Sequence, residues 1–334
     1  MATDMNFREA LIAAQHAEMS DDPTVFVVGE DIESGIYGAQ GTEQFGPGRV
    51  RNTPISEAGF IGAAIGAALT GMRPIVDLGP AVFMYGAMDQ LISQAAKNRY
   101  MFGGQASIPL VVRLAMYYGG SQAAHHSDRP YPMLMNVPGL KVVAPATPSD
   151  AYGLLRRSIQ TDDPVMFFED TTLWGLKGPV DEGAPLPELG VGTIHRHGTD
   201  VTVVGVASGV QHALRAATLL EAEGISAEVV DPRTLVPLDR DIIIESVRRT
   251  GRLVIADPAN RTCGAAAEIA AIVAEDAFDA LRAPIRRVTT PDVPIPFSPS
   301  MERGLYPNQE RIAAAARSLL DPTPVGADHE RGRA

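Results

Sequence analysis

The sequence predicts an α/β fold in which a doubly wound parallel sheet is followed by a second, smaller α/β domain. Three observations carry this. Short continuous apolar runs, of the kind that strands buried on both faces require, alternate with segments whose apolar residues recur at helical spacing. The alternation lapses once, in a stretch rich in glycine and proline. It then resumes and continues almost to the end.

Helical spacing at Phe7, Ala10, Leu11 and Ala14 leads into the apolar run 24–28, closed by Gly29, Glu30 and Asp31. A helix over 57–70 precedes a strand over 73–78, and a helix over 87–100 precedes a strand over 109–114. A strand over 141–144, a helix over 149–160 and a strand over 165–168 complete the first run. From about 171 to 199 the pattern yields to Gly178, Pro179, Gly183, Pro185, Pro187, Gly190 and Gly192, which read as a linker. Strands over 201–206, 227–230 and 253–256 then alternate with helices over 210–223, 239–250 and 265–274. The expected organisation is a first domain over 1–185, a linker over 186–198, a second domain over 199–326 and a mobile tail over 327–334.

The chain has 334 residues, 45% hydrophobic and 20% charged, which is ordinary globular composition with enough length for two cores. Its 28 basic and 40 acidic residues leave a formal charge of −12, which repels phosphate backbones and anionic membrane surfaces. Neither nucleic acid nor membrane is therefore an expected partner. The apolar stretch 58–72 is shorter than a span and is interrupted by four glycines. One cysteine, Cys263, cannot form an internal disulfide, and residues 1–19 have neither an apolar signal core nor an Arg-rich transit character. A reducing, cytoplasmic setting is expected.

In doubly wound sheets ligands bind beyond the carboxyl ends of the strands, which directs attention to the loops after residues 28, 78, 114 and 144. Glu57 stands in the first turn of a glycine-rich helix, with Ser56 in the cap position; by itself it also reads as an ordinary helix opening. Gly62 and Gly66 permit a close helix crossing, at a subunit interface or against the sheet. The loop 79–85 carries Phe83, which either stacks on a flat heterocycle or fills the core. The loop 117–129 sets His125 and His126 beside paired glycines, where packing gives them little purpose. A zinc reading of His125, His126 and Asp128 lacks a fourth ligand. No Gly-x-Gly-x-x-Gly follows the first strand, which disfavours a dinucleotide-binding oxidoreductase.

Read in order, Val27-Val-Gly-Glu-Asp31, Thr53-Pro-Ile-Ser-Glu57, Asp89-Gln90, Pro138-Gly-Leu-Lys-Val-Val143, Asp231-Pro-Arg-Thr234 and Asp292-Val-Pro-Ile-Pro296 make the chain resemble the beta subunits of 2-oxo acid dehydrogenase complexes of the pyruvate, branched-chain and acetoin type. The resemblance implies a pyrimidine-binding thiamine diphosphate module followed by a transketolase C-terminal-like domain. It implies that Glu57 hydrogen-bonds the ring nitrogen of the cofactor's aminopyrimidine, favouring the imino tautomer that generates the thiazolium nucleophile. It sets Phe83 against the pyrimidine, Glu30 and Ile55 among the cofactor-binding residues, and His126, with His125 as its neighbour, near the substrate. It further implies a monovalent cation such as K⁺ on main-chain carbonyls in the region of Leu110, Ser158, Ile159, Thr161 and Asp163.

Thiamine enzymes hold the diphosphate through Mg²⁺ on a Gly-Asp-Gly segment, and none occurs here. The resemblance therefore implies an alpha subunit that holds Mg²⁺ and the diphosphate end, in an alpha2beta2 heterotetramer. The implied reaction is decarboxylation of a 2-oxo acid with transfer of the acyl unit to lipoamide, on a lipoyl acyltransferase core. A split transketolase-like carboligase and a non-catalytic assembly subunit are the alternatives. After His126 the chain departs from the family's usual Ser-Gln with Ser127-Asp128-Arg129, positions expected to face substrate.

Overall fold

The computed structural model describes residues 2–32 and 43–320; the tail expected to be mobile, 327–334, lies outside them. Two sheets dominate. The first has seven strands in the order β12-β6-β7-β5-β4-β2-β3: β2 (Val25–Gly29), β3 (Val50–Asn52), β4 (Arg73–Pro80), β5 (Val111–Met116), β6 (Lys141–Val143), β7 (Val165–Asp170) and β12 (Thr234–Val236). The second has five, in the order β14-β13-β10-β11-β9: β9 (Thr193–Arg196), β10 (Val201–Gly205), β11 (Ala227–Asp231), β13 (Leu253–Asn260) and β14 (Arg286–Thr290). A small antiparallel pair, β1 (Thr3–Asn6) with β8 (Lys177–Val180), closes one side.

Each sheet is parallel apart from one antiparallel edge. Strand β12 reaches back from the second half of the chain to pair with β6, and β9 forms within the stretch read as linker and pairs with β11. Neither edge shows in the sequence, because three or four residues are too few to establish a period. Pairing of β12 with β6 ties the two halves together.

The first helix, Phe7–Asp21, begins on a capping box in which Asn6 and Glu9 satisfy each other's backbone N–H, and it buries Phe7, Ala10, Leu11 and Ala14. The expected helix over 87–100 is instead a 3-10 turn at Ala81–Ala87, a π turn at Gln90–Ala95 and a short helix at Asn98–Met101. The wider π turn, closed by Ala96 N–H on the Leu91 carbonyl at 3.0 Å, lets both Leu91 and Ala95 face the core. At the end of β2, a Cβ on Gly29 would stand 2.2 Å from the Asp77 carbonyl oxygen. Only glycine lets β2 approach β4 this closely where the chain turns off into Glu30.

Under the first sheet Arg113 is buried with a polar set of its own. Its guanidinium donates to Glu169 Oε1 at 2.5 Å and Oε2 at 3.0 Å, to Gln15 Oε1 at 2.6 Å and to Asp77 Oδ2 at 3.3 Å. Two carboxyls around one cation leave an excess of negative charge. Burial is the largest influence on Asp77 and pushes its carboxyl up to about 6. No helix among the described residues is long and apolar enough to cross a membrane.

Candidate functional site

The carboxyl ends of β2 and β4 deliver the first residues of the site. Glu57 opens the helix Glu57–Leu69 and is half-buried. Ser56 is the cap residue but makes no side-chain cap bond; its backbone N–H instead serves the carboxyl of Glu30. Burial raises the pKa of Glu30, and the charges of Glu57 and Asp31 raise it further. Glu30 Oε1 is buried without a hydrogen-bond partner. Two carboxyls thus share one recess, and one of their oxygens is unserved.

Gly86 forms the opposite wall. A Cβ there would lie 3.5 Å from Glu57 Oε2, so bare backbone runs alongside the carboxyl. Three residues earlier Phe83 meets His126 edge to face, with ring centroids 5.6 Å apart and planes at 77°. His126 Nδ1 is likewise buried and without a partner, while His125 is exposed. Ile55 is 83% exposed at the mouth of the recess. The structure therefore sets Glu57 beside Glu30 and against the backbone of Gly86, and Phe83 against His126, while Ile55 and His125 are exposed.

Position in this loop depends on the second half of the chain, which the sequence did not reveal. Gly119 N–H and Ser121 N–H donate to the buried carboxylate of Glu302 at 2.7 and 2.9 Å, and Tyr306 donates to the same group at 2.8 Å. Arg129 stacks on Tyr118 and Tyr306 at 4.9 and 4.8 Å and donates to the Pro258 carbonyl at 2.8 Å. Tyr131 donates to buried Asp257. Of the residues expected to face substrate after His126, Ser127 and Arg129 are buried inward; Asp128 alone remains accessible, and it accepts from Tyr85 at 2.9 Å. The change of direction follows from Arg129, whose guanidinium finds two rings and several oxygens inside and none outside.

The segment expected to hold a monovalent cation on its carbonyls also meets donors from the protein. Leu110 accepts from Val165 N–H at 2.8 Å and Ser158 from Thr161 N–H at 3.4 Å. Ile159 and Thr161 both accept from Arg73 Nη1 at 3.0 Å, and the Asp163 carboxylate pairs with Arg99 and with Lys141. Arg73 is thus a built-in cation for that segment. The glycines expected to permit a close crossing, Gly62 and Gly66, meet little within this chain: Gly62 approaches the Gln90 side chain, and Gly66 has no neighbour within 4 Å.

Elsewhere, Asp150, His195 and Asp231 converge, with Arg233 Nε 2.8 Å from Asp150 and His195 Nε2 3.1 Å from Asp231. The guanidinium already supplies that cluster's positive charge. It joins the helix Pro148–Gln160 to the second sheet and lies apart from the recess.

Residues 3–175 match the family model for the transketolase pyrimidine binding domain, and residues 190–312 that for the transketolase C-terminal domain. The acetoin:2,6-dichlorophenolindophenol oxidoreductase subunit beta of Cupriavidus necator is 45% identical, covering 96% of this chain and 98% of that one. The 2-oxoisovalerate dehydrogenase subunit beta of Bacillus subtilis is 41% identical over 95% and 99%, and the pyruvate dehydrogenase E1 component subunit beta of Rickettsia felis 44% over 93% and 97%. Among solved structures, one described as a split gene transketolase, inactive beta4 tetramer, superposes with a TM-score of 0.79 at 25% identity, covering 95% of this chain and 98% of that one.

Proposed function

The chain belongs to the beta-subunit family of thiamine-diphosphate-dependent 2-oxo acid and acetoin dehydrogenases, within the transketolase-like superfamily, and from that premise we propose that it supplies the pyrimidine half of a thiamine diphosphate site shared with an alpha-type chain. Its relatives are beta subunits, which implies such a partner. The observation that carries the proposal is the placement of Glu57 against bare backbone at Gly86 and beside the carboxyl of Glu30. Such a placement fits a flat heterocycle that brings its own hydrogen-bonding nitrogens.

When bound, thiamine diphosphate supplies a nucleophilic carbon and an electron sink for cleaving the bond beside a substrate carbonyl. Glu57 would hold the pyrimidine ring nitrogen and share a proton with it, a task favoured by a partly desolvated carboxyl. Burial, with the charges of Glu57 and Asp31, raises the pKa of Glu30 and so favours its neutral form beside Glu57. Phe83 would pack against the pyrimidine, with Glu30 and Ile55 at its rim. His126, steadied by the Phe83 edge, would present Nδ1 for proton traffic with the substrate, and His125 stands outside it as the second base. Mg²⁺ and the diphosphate end fall to the alpha-type chain, because this sequence has no Gly-Asp-Gly segment.

The substrate is a 2-oxo acid or an acyloin, and the acyl unit passes to lipoamide or an equivalent oxidant. The likeness to a split transketolase supports a carboligase as the second reading, distinguished by an aldehyde acceptor. The test is titration calorimetry of thiamine diphosphate with Mg²⁺ into this chain alone, the chain with its alpha-type partner, and the same complex carrying Glu57→Gln. Tight binding and turnover only in the intact complex support the proposal; turnover that survives Glu57→Gln overturns the assignment of the recess.

A further inference from the structure

We propose that Asp128, fixed by Tyr85, sets the charge class of the substrate, disfavouring anionic 2-oxo acids and favouring uncharged hydroxyketones. This rests on the shared thiamine diphosphate site proposed above and adds a specificity-determining residue to it.

Sequence and contact place Asp128 at the rim of that site. Tyr85 directly precedes Gly86, which lies along Glu57, and follows Phe83 by two residues. Asp128 follows His126 by two. The Tyr85–Asp128 hydrogen bond therefore closes a ring that also contains the Phe83–His126 contact. The bond engages Oδ2 of Asp128 and leaves Oδ1 with acceptor capacity. The carboxylate is steered by a second loop and not left to swing in solvent.

The cation adjacent to it in the chain is turned inward. Arg129, next in the chain, is buried and committed to Tyr118, Tyr306, Pro258, Ser127 and Thr290. Burial and the charge of Asp128 both push the Tyr85 hydroxyl up, so it remains a neutral donor. Outward from Asp128 a shallow cleft continues past Asn260 and Thr262 to a second carboxylate, Asp292. The carboxyls identified around the site and its approach are Glu30, Glu57, Asp128 and Asp292, the last with Arg261 beside it.

A 2-oxo acid carries its own carboxylate directly on the reacting carbonyl carbon, where these groups repel it. An acyloin carries a hydroxyl at that position, which donates to a carboxylate such as Asp128. Unit charges several ångströms apart near a protein surface interact strongly enough to shift selectivity about tenfold.

The experiment uses the complex with the alpha-type partner and follows reduction of 2,6-dichlorophenolindophenol with acetoin, pyruvate and 2-oxoisovalerate. The expected result is a preference for acetoin. Asp128→Asn should raise kcat/KM for the two acids about tenfold, chiefly through KM, without a comparable gain for acetoin. Raising the salt concentration should lower KM for the acids in the parent enzyme, and less so in Asp128→Asn. Asp128→Glu should restore the parent preference, which a merely structural loss would not allow. A parent enzyme that prefers the acids, or an Asp128→Asn effect equal for both classes, overturns this proposal while leaving the cofactor site intact. Loss of all discrimination between the parent complex and Glu57→Gln overturns the cofactor-site reading and this proposal with it.

Discussion

Phe83 and His126 meet edge to face at 5.6 Å, and through that contact the loop after β4 supports the one that follows β5. An edge-to-face pair of this kind contributes about 0.5–1.5 kcal/mol beyond the area it buries. Phe83→Leu should therefore weaken thiamine diphosphate binding by the complex about tenfold, with little change in thermal stability because Phe83 is only partly buried. Calorimetry and a melting curve on the same preparation check both halves; a large fall in melting temperature would show that Phe83 belongs to the core instead.

Glu57→Gln keeps the size of the side chain and removes its acid function. Loss of a positioned proton-transfer group lowers kcat by about 10²–10⁴. Because the Glu57 charge is one cause of the raised pKa of Glu30, the same substitution should also lower that pKa. Carbon-13 NMR titration of labelled glutamate reads this directly, and an unchanged Glu30 would show that the two carboxyls do not share the recess.

Glu302 accepts two backbone N–H groups from the loop that carries the histidines. Glu302→Ala removes the acceptor of both, and because Gly119 is exposed and Ser121 partly buried the loss is about 0.5–1.5 kcal/mol per bond. The expected outcome is faster hydrogen exchange across 117–129 and reduced kcat/KM in a chain that still folds. Exchange confined to residues around 302 would separate the loop from this support.

Asp77 gives the fold a pH dependence with a definite sign. Burial raises its carboxyl from 3.8 to about 6, so the folded chain holds the proton more tightly than the unfolded one. Its stabilising contribution is complete below about pH 4 and is lost as pH rises through about 6, a difference on the order of 3 kcal/mol. Urea unfolding at pH 5 and pH 7.5 should show about half of that loss, about 1.4 kcal/mol, in the parent chain and a shallower one in Asp77→Asn. Arg113→Met should be destabilising at both pH values by about 3–5 kcal/mol, since it leaves Glu169 buried without its cation.

Much of the fold was legible because buried parallel strands write continuous apolar runs and the longer helices write a 3.6-residue period. The runs at 24–28, 73–78 and 165–168 correspond to β2, β4 and β7. The segment after β4 was misread as one helix because its apolar residues suit any helical winding, and only packing selects 3-10 and π turns there. Within the site, Glu57, Phe83 and His126 stood out through ordered motifs. Glu302 did not, since nothing around Met301 and Arg303 signals a partner 183 residues away.

The sequence by itself determined the α/β alternation, the family resemblance and the absence of a Gly-Asp-Gly metal segment, because each is written in local spacing or residue order. Tertiary structure alone decided that β12 returns to the first sheet, that Arg129 turns inward while Asp128 stays at the rim, and that Tyr85 reaches it. Those outcomes depend on which buried donor meets which acceptor between segments far apart in the chain. Local sequence carries no record of that pairing, which only the closed fold brings about.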